Sequence, residues 1–78
     1  MAFKNSEFKF EIVRHIAVLA NEKNGWTKEL NMVSYNDAPA KYDIRSWDPT
    51  HEKMGTGVTL SNAEIRALLD ALAEEEIL

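Results

Sequence analysis

Residues 41–64 read KYDIRSWDPTHEKMGTGVTLSNAE, and the fold follows from this stretch. Lys41 to Trp47 alternates strictly. Tyr42, Ile44 and Ser46 fall on one side, and Lys41, Asp43, Arg45 and Trp47 on the other, which is the period of a strand. Asp48-Pro49 then opens a loop, because the aspartate caps its own backbone and proline fixes the next φ. Gly55 and Gly57 flank one residue just before Val58-Thr59-Leu60. This reads as a short strand with a bend or a close approach of another backbone. Ser61-Asn62-Ala63-Glu64 is a capping box, in which hydroxyl and carboxylate each satisfy an amide that the first helical turn leaves unpaired. Ile65, Leu68, Leu69 and Leu72 then form one helical stripe, with Ala63, Ala67, Ala71 and Ala73 supplying propensity.

Working back from Lys41, Asn36-Asp37-Ala38-Pro39 is turn chemistry, and Trp26 to Asn36 reads as a strand. Its parity is ambiguous. Leu30 and Met32 lie on one side and Val33 and Tyr35 on the other, so the core-facing side stays open. Asn21 to Gly25 is a polar loop ending in Asn-Gly, a hairpin signal. Before it, Phe8 to Leu19 alternates, with Phe8, Phe10, Ile12, Ile16 and Val18 on one parity and Lys9, Glu11 and His15 on the other. Arg14 interrupts the pattern, which predicts a bulge or bend there. Residues 1–7 are polar apart from Met1 and Phe3, and a frayed start is expected. The expected fold is α+β: a four-stranded antiparallel meander followed by one C-terminal helix, ββββα, in a single domain spanning residues 1–78.

A chain of 78 residues has a thin core and usually needs a staple. With no cysteine, disulfides, thiolate metal sites and cysteine nucleophiles are excluded, and His15 and His51 alone make no ligand cluster. Oligomerisation is the remaining staple. A hydrophobic fraction of 45% argues against disorder. No apolar run approaches the ~20 residues of a membrane span, so a cytoplasmic protein is expected. The net charge of -4 is unevenly spread: residues 1–60 hold eight bases and eight acids, whereas residues 61–78 hold one base and five acids. If the acidic end points away, the remainder is free to present a locally basic face. Glu74-Glu75-Glu76 opposes the helix macrodipole, and Ile77 and Leu78 are apolar where a monomer gains little from them.

Enzyme signatures are missing: no G-x-S-x-G, P-loop, H-E-x-x-H or dinucleotide fingerprint occurs. Asp43 reads as an exposed neighbour of Arg45, and Asp48 as a turn former. His15 reads as a polar strand residue, and His51 as a loop residue with no partner in reach by sequence. A non-enzyme without cofactor or metal is expected. The constellation that stands out is Lys41-x-x-x-Arg45-x-Trp47, three side chains in a row on one sheet face. Cations there neutralise phosphates and an indole offers a stacking surface, the combination that holds single-stranded nucleic acid. Trp26 and Lys28 share a parity on the neighbouring strand and extend the face, while Lys53 closes its edge. Spacing alone leaves a plainer reading standing: a strand-end tryptophan that packs over the sheet, beside solvated bases.

Tyr42-Asp43-Ile44-Arg45-Ser46-Trp47, then Asp48-Pro49, then Met54-Gly55-Thr56-Gly57-Val58-Thr59-Leu60-Ser61, resembles the DNA-binding domain of the transcriptional coactivator positive-cofactor-four family, most closely its small bacterial YdbC-like branch. Lys28-Glu29-Leu30-Asn31, Asn36-Asp37 and the terminal helix look similar too, so the likeness covers roughly residues 8–76. It implies a curved ββββα domain and a homodimer built through helices and sheet ends. It implies binding of single-stranded DNA along the sheet with little sequence preference, in transcription, replication or repair and hence near the nucleoid. Arg45 matches the family's strand-three arginine, Trp47 its stacking tryptophan, Lys53 its basic loop position and Tyr35 its strand-two aromatic. Thr56 stands where the family commonly has lysine. Two other functions fit the same surface: a protein-interaction module that takes an acidic or extended peptide, and a binder of single-stranded RNA.

Overall fold

The computed structural model describes residues 8–75. The expected frayed start at 1–7 and the apolar end at Ile77 and Leu78 lie outside the described residues. Four strands form one antiparallel sheet in chain order: β1 (Phe10–Asn21), β2 (Thr27–Tyr35), β3 (Lys41–Trp47) and β4 (Met54–Leu60), followed by α1 (Asn62–Glu75). The ββββα meander is therefore present. The last strand is longer than Val58–Leu60, because it starts at Met54 and takes in both glycines.

The first two hairpin turns use residues that tolerate positive φ. Asn24 and Gly25 have φ of 61° and 80°, and the Trp26 amide donates to the Lys23 carbonyl at 3.2 Å. Asn36 and Asp37 have φ of 53° and 65°, and the Ala38 amide donates to the Tyr35 carbonyl at 3.0 Å. Two successive residues of positive φ match the right-handed twist of the flanking strands.

β1 departs from regular pairing three times, between Ile12 and Arg14, His15 and Ala17, and Val18 and Ala20. Each extra residue shifts the side-chain parity by one. The bulge expected near Arg14 is present, and its consequence corrects the reading of His15. That residue pairs with Asn31 and shares a face with Phe10 and Ile12, instead of pointing the opposite way. β4 also carries one irregularity, between the pairs Arg45–Gly57 and Trp47–Met54. Gly57 is held by close backbone approach: a Cβ there would collide with the Ile44 carbonyl and with the backbone and Cβ of Arg45.

Register settles the parity of β2. Thr27 pairs with Trp47, Glu29 with Arg45, Asn31 with Asp43 and Val33 with Lys41, so these residues share one face of the sheet. Leu30 and Met32, opposite Ile44 and Tyr42, lie on the other face. The fully covered side chains all belong to the first face: Val33, Trp47, Glu29, Asn31 and Asp43. Polar groups thus dominate the best-buried positions. The helix starts at the expected box, with the Glu64 amide donating to Ser61 Oγ at 3.1 Å and the Ser61 amide to Glu64 Oε1 at 2.7 Å. It touches β3 and β4 on the Tyr42 side, where Tyr42, Asn62, Ile65, Arg66 and Leu69 line a shallow pocket. None of its side chains is buried, and Leu68, Leu69 and Leu72 stay 41%, 55% and 39% exposed.

Candidate nucleic-acid interface

Trp47 and Arg45 lie on one face, as alternation requires, but neither stands open to solvent. Trp47 is 0% exposed. Phe10 packs on its ring at 5.4 Å between centroids, and the His51 imidazole stacks over it at 5.9 Å and 30°. The plainer reading of a tryptophan packed over the sheet describes its position. Its indole N–H has no hydrogen-bond acceptor among the described residues. Asp43, expected on an exposed face, is also 0% exposed. Phe10 of β1 and His51 of the 48–53 loop cover Trp47, and the side chains of Tyr35, Arg45 and Thr59 cover Asp43, so this is an interior face along β2 and β3.

Arg45 is mostly covered and fully engaged. Its Nε and Nη2 donate to Asp43 Oδ1 and Oδ2 at 2.8 and 2.9 Å, a fork-to-fork pair. Nη1 donates to the Gly55 carbonyl at 3.1 Å, and the guanidinium lies 5.5 Å from the Tyr35 ring centre. Asp43 also accepts from the Tyr35 hydroxyl at 2.9 Å and from Thr59 Oγ1 at 3.1 Å. The pairing with Asp43 holds the Arg45 pKa above its ordinary value. Burial, together with the bond to Asp43 and its charge, raises the Tyr35 phenol to about 12. Arg45 therefore carries no unbalanced positive charge to the surface.

The remaining expected residues divide by face. Lys41 is exposed and on the Arg45 side, opposite Val33. Tyr35 is half-buried on that side, and the exposed Phe8 ring stacks on it at 6.1 Å and 29°. Lys53 is exposed at the end of the loop leading into β4. Lys28 pairs with Ser46 on the opposite face, so it does not extend the row. Trp26 is half-buried at the end of the first turn and shares the Lys28 parity.

The 48–53 loop is organised by Asp48. Its Oδ1 accepts the amides of Glu52 and Lys53 at 2.9 and 3.0 Å, and its Oδ2 accepts from the Thr50 hydroxyl at 2.9 Å. The hydrogen bond from Lys53 is the main cause that keeps its carboxyl below the ordinary range. Within this loop His51 adopts φ of 60°, which turns its ring back over Trp47. A Cβ on Gly25 would meet the Pro49 ring at 2.9 Å, so the loop also leans on the first hairpin turn.

Two residues that sequence alone gave no partners converge here on a third. Glu29, 3% exposed, accepts from Thr27 Oγ1 at 2.6 Å, Asn31 Nδ2 at 3.1 Å and His51 Nε2 at 2.8 Å. His15 Nδ1 lies 3.5 Å from the same carboxylate and 2.8 Å from Asn31 Oδ1. Burial pushes the Glu29 carboxyl up. The bonds from Thr27, Asn31 and His51 outweigh it and leave the pKa below its ordinary value, so the group is an anion at neutral pH. The cluster was invisible in sequence because it depends on the β1 bulges and the loop fold, which bring residues 15, 29 and 51 together. Among the described residues, no group of His, Cys, Asp or Glu has the arrangement to hold a metal ion, and no helix is long and apolar enough to cross a membrane.

Comparison with known proteins supplies the frame for this surface. Residues 22–71 match the family model described as Transcriptional Coactivator p15 (PC4). An uncharacterised protein of Treponema pallidum (strain Nichols) is 50% identical over 68 residues, a span that covers 87% of this chain and 80% of that protein.

Proposed function

The chain belongs to the Transcriptional Coactivator p15 (PC4) family, and from that premise we propose that it binds single-stranded DNA, without catalysis, on the sheet face that carries Trp47. The observation that supports this most is the file of rings on that face: Phe8 lies on Tyr35 and beside Phe10, Phe10 packs on Trp47, and Trp47 stacks with His51. Phe8, Tyr35 and His51 have accessible surface, and unpaired bases stack on such rings regardless of sequence. Lys41 and Lys53 are the exposed bases flanking the file and take the phosphates. Arg45 and Trp47 act from beneath. Arg45 ties Asp43 and the start of β4 in place, and Trp47 supports His51. Lys28 and Trp26 stand outside this surface.

The domain works as a homodimer in this reading. Leu68, Leu69, Leu72 and Val58 are all at least 39% exposed on the described chain. Each buried aliphatic side chain of this size is worth about 1.5–3 kcal/mol, so a second copy on the helix side stabilises both. Binding through the opposite face leaves the acidic helix away from the strand. A small DNA-binding dimer of this kind serves transcription, replication or repair in the bacterial cytoplasm.

The test is an anisotropy titration of a labelled single-stranded oligonucleotide against its duplex and its RNA counterpart. Tight binding to the DNA strand, weakened in the Lys41→Ala, Lys53→Ala double variant, is the expected result. Affinity falls with salt at a shallow slope of about -0.7 per phosphate contact. Equal or stronger binding to RNA moves the function to RNA. No binding to any oligonucleotide, with capture of acidic peptides instead, makes the domain a protein-interaction module.

A further inference from the structure

The chain has two histidines, and the fold brings both onto one carboxylate. His51 Nε2 lies 2.8 Å from Glu29 Oε2, and His15 Nδ1 lies 3.5 Å from Glu29 Oε1. One ring comes from the 48–53 loop and the other from β1, so the meeting needs both the loop fold and the β1 bulges. Glu29 is 3% exposed, yet the two histidine side chains keep 51% and 41% of their surface. Both rings line the same open groove and are within reach of solvent protons.

No permanent cation shares this carboxylate. Among the described residues, Glu29 makes ion pairs with the two histidines and with no lysine or arginine. On β3, Arg45 stands opposite it in register but is committed to Asp43. Arg14 of β1 and Lys28 of β2 pair with Met32 and Ser46 and so lie on the other face. In the loop, Asp48 is turned to the amides of Glu52 and Lys53, whose own side chains are exposed. Hydrogen bonds hold the Glu29 carboxyl below its ordinary range, so it stays an anion in weak acid. Histidine is the side chain whose ordinary titration falls between pH 5 and 8. In that window the histidines alone set the charge of the cluster. It is one negative charge with both rings neutral, none with one ring protonated, and one positive charge with both.

We infer that the His15–Glu29–His51 cluster makes strand binding proton-linked: single-stranded DNA binds more tightly as pH falls from 7.5 to 5.5, and these rings take up the protons. The inference rests on the reading of this face as the single-stranded-DNA surface. A strand whose phosphates are held by Lys41 and Lys53 crosses the face that carries the cluster. With neutral rings the cluster adds a negative charge beneath a polyanion, and protonation removes it. A bound polyanion favours the charged imidazole, and by linkage the charged imidazole favours the polyanion by the same factor. The cluster thus gives a surface built on fixed lysine charges a response to acidity.

Oligo-dT titrated at pH 7.5 and pH 5.5, at one ionic strength, tests it, because thymine and the phosphodiester keep their charge across this range. The wild-type protein is expected to bind roughly three- to tenfold tighter at pH 5.5, the size of one or two exposed charge pairs. The His15→Gln, His51→Gln double variant keeps a hydrogen-bond donor at each position without the titration, and is expected to bring the ratio close to one. Those changes touch a buried carboxylate, so the imidazole proton resonances of the wild-type protein are followed beside them. Both rings are expected to titrate at higher pH in the complex than in the free protein. Equal affinity at the two pH values, or tighter binding at pH 7.5, overturns the linkage and leaves the proposed function standing. A pH ratio retained in the double variant, or imidazole titrations that the strand does not move, also overturns it. Binding at neither pH removes the proposed function and the linkage together.

Discussion

Asp43 and Glu29 are two buried carboxylates handled in different ways. Asp43 has a full counter-ion in Arg45 plus two hydroxyl donors, whereas Glu29 is held by a hydroxyl, an amide and two histidines. Because the Glu29 pKa is lower in the folded chain than its ordinary 4.5, its contribution to stability is present above that value and is lost as pH falls through the folded one. An acid titration followed by circular dichroism should therefore show a transition below pH 4.5 that Glu29→Gln flattens. A wild-type acid limb retained in that variant would assign the transition to another group. At the alkaline end the sign reverses. Tyr35 is raised from 10.0 to about 12, so its contribution is complete below 10.0 and disappears as pH rises through 12. Absorbance at the phenolate band should show a tyrosine ionising near 12, and Asp43→Asn should lower that value. Gly57 is the position with least room. Gly57→Ala should cost about 1–3 kcal/mol or more in urea denaturation, since the collision is with backbone that cannot rotate away. A loss under 0.5 kcal/mol would mean that β4 slides to accept the methyl group.

At the scale of elements, the strands, the capping box and the positive-φ turns were legible because each is a local pattern. Asn-Gly and Asn-Asp can enter left-handed backbone, and Ser61 with Glu64 closes its own box. The faces of β1 and β2 were not legible. Three bulges in twelve residues reset the parity of β1 repeatedly, and no composition signal marks where. The inward residues of β2 include Glu29 and Asn31, which hydropathy assigns to solvent. Which of the two readings of Trp47 holds was not legible for a related reason. Alternation gives its row, but its cover comes from Phe10 of β1 and from the 48–53 loop, whose fold depends on Asp48 hydrogen bonds several residues away. Helix α1 tests the dimer at this scale. Leu69 is the most exposed of its stripe, so Leu69→Lys should leave the sheet folded and halve the mass seen by light scattering. A wild-type protein already running as a monomer would remove the dimer from the account.

At the scale of the molecule, the chain is a thin plate whose two faces differ in chemistry. One face spends its burial on a polar network and a file of rings, and the other leaves an aliphatic stripe and an acidic helix uncovered. A plate of 51 × 30 × 18 Å has little interior, which is why a side chain as large as Trp47 is shielded only when a loop folds back on it. In the proposed function the ring-bearing face takes DNA and the helix face takes a second copy. The most direct measurement is a map of amide chemical-shift changes on adding a single-stranded oligonucleotide to the labelled protein. Changes should concentrate at Phe8, Tyr35, Lys41, His51 and Lys53 and spare Leu68 to Leu72. Changes confined to α1, or no changes at saturating oligonucleotide, would contradict the assignment of that face to DNA.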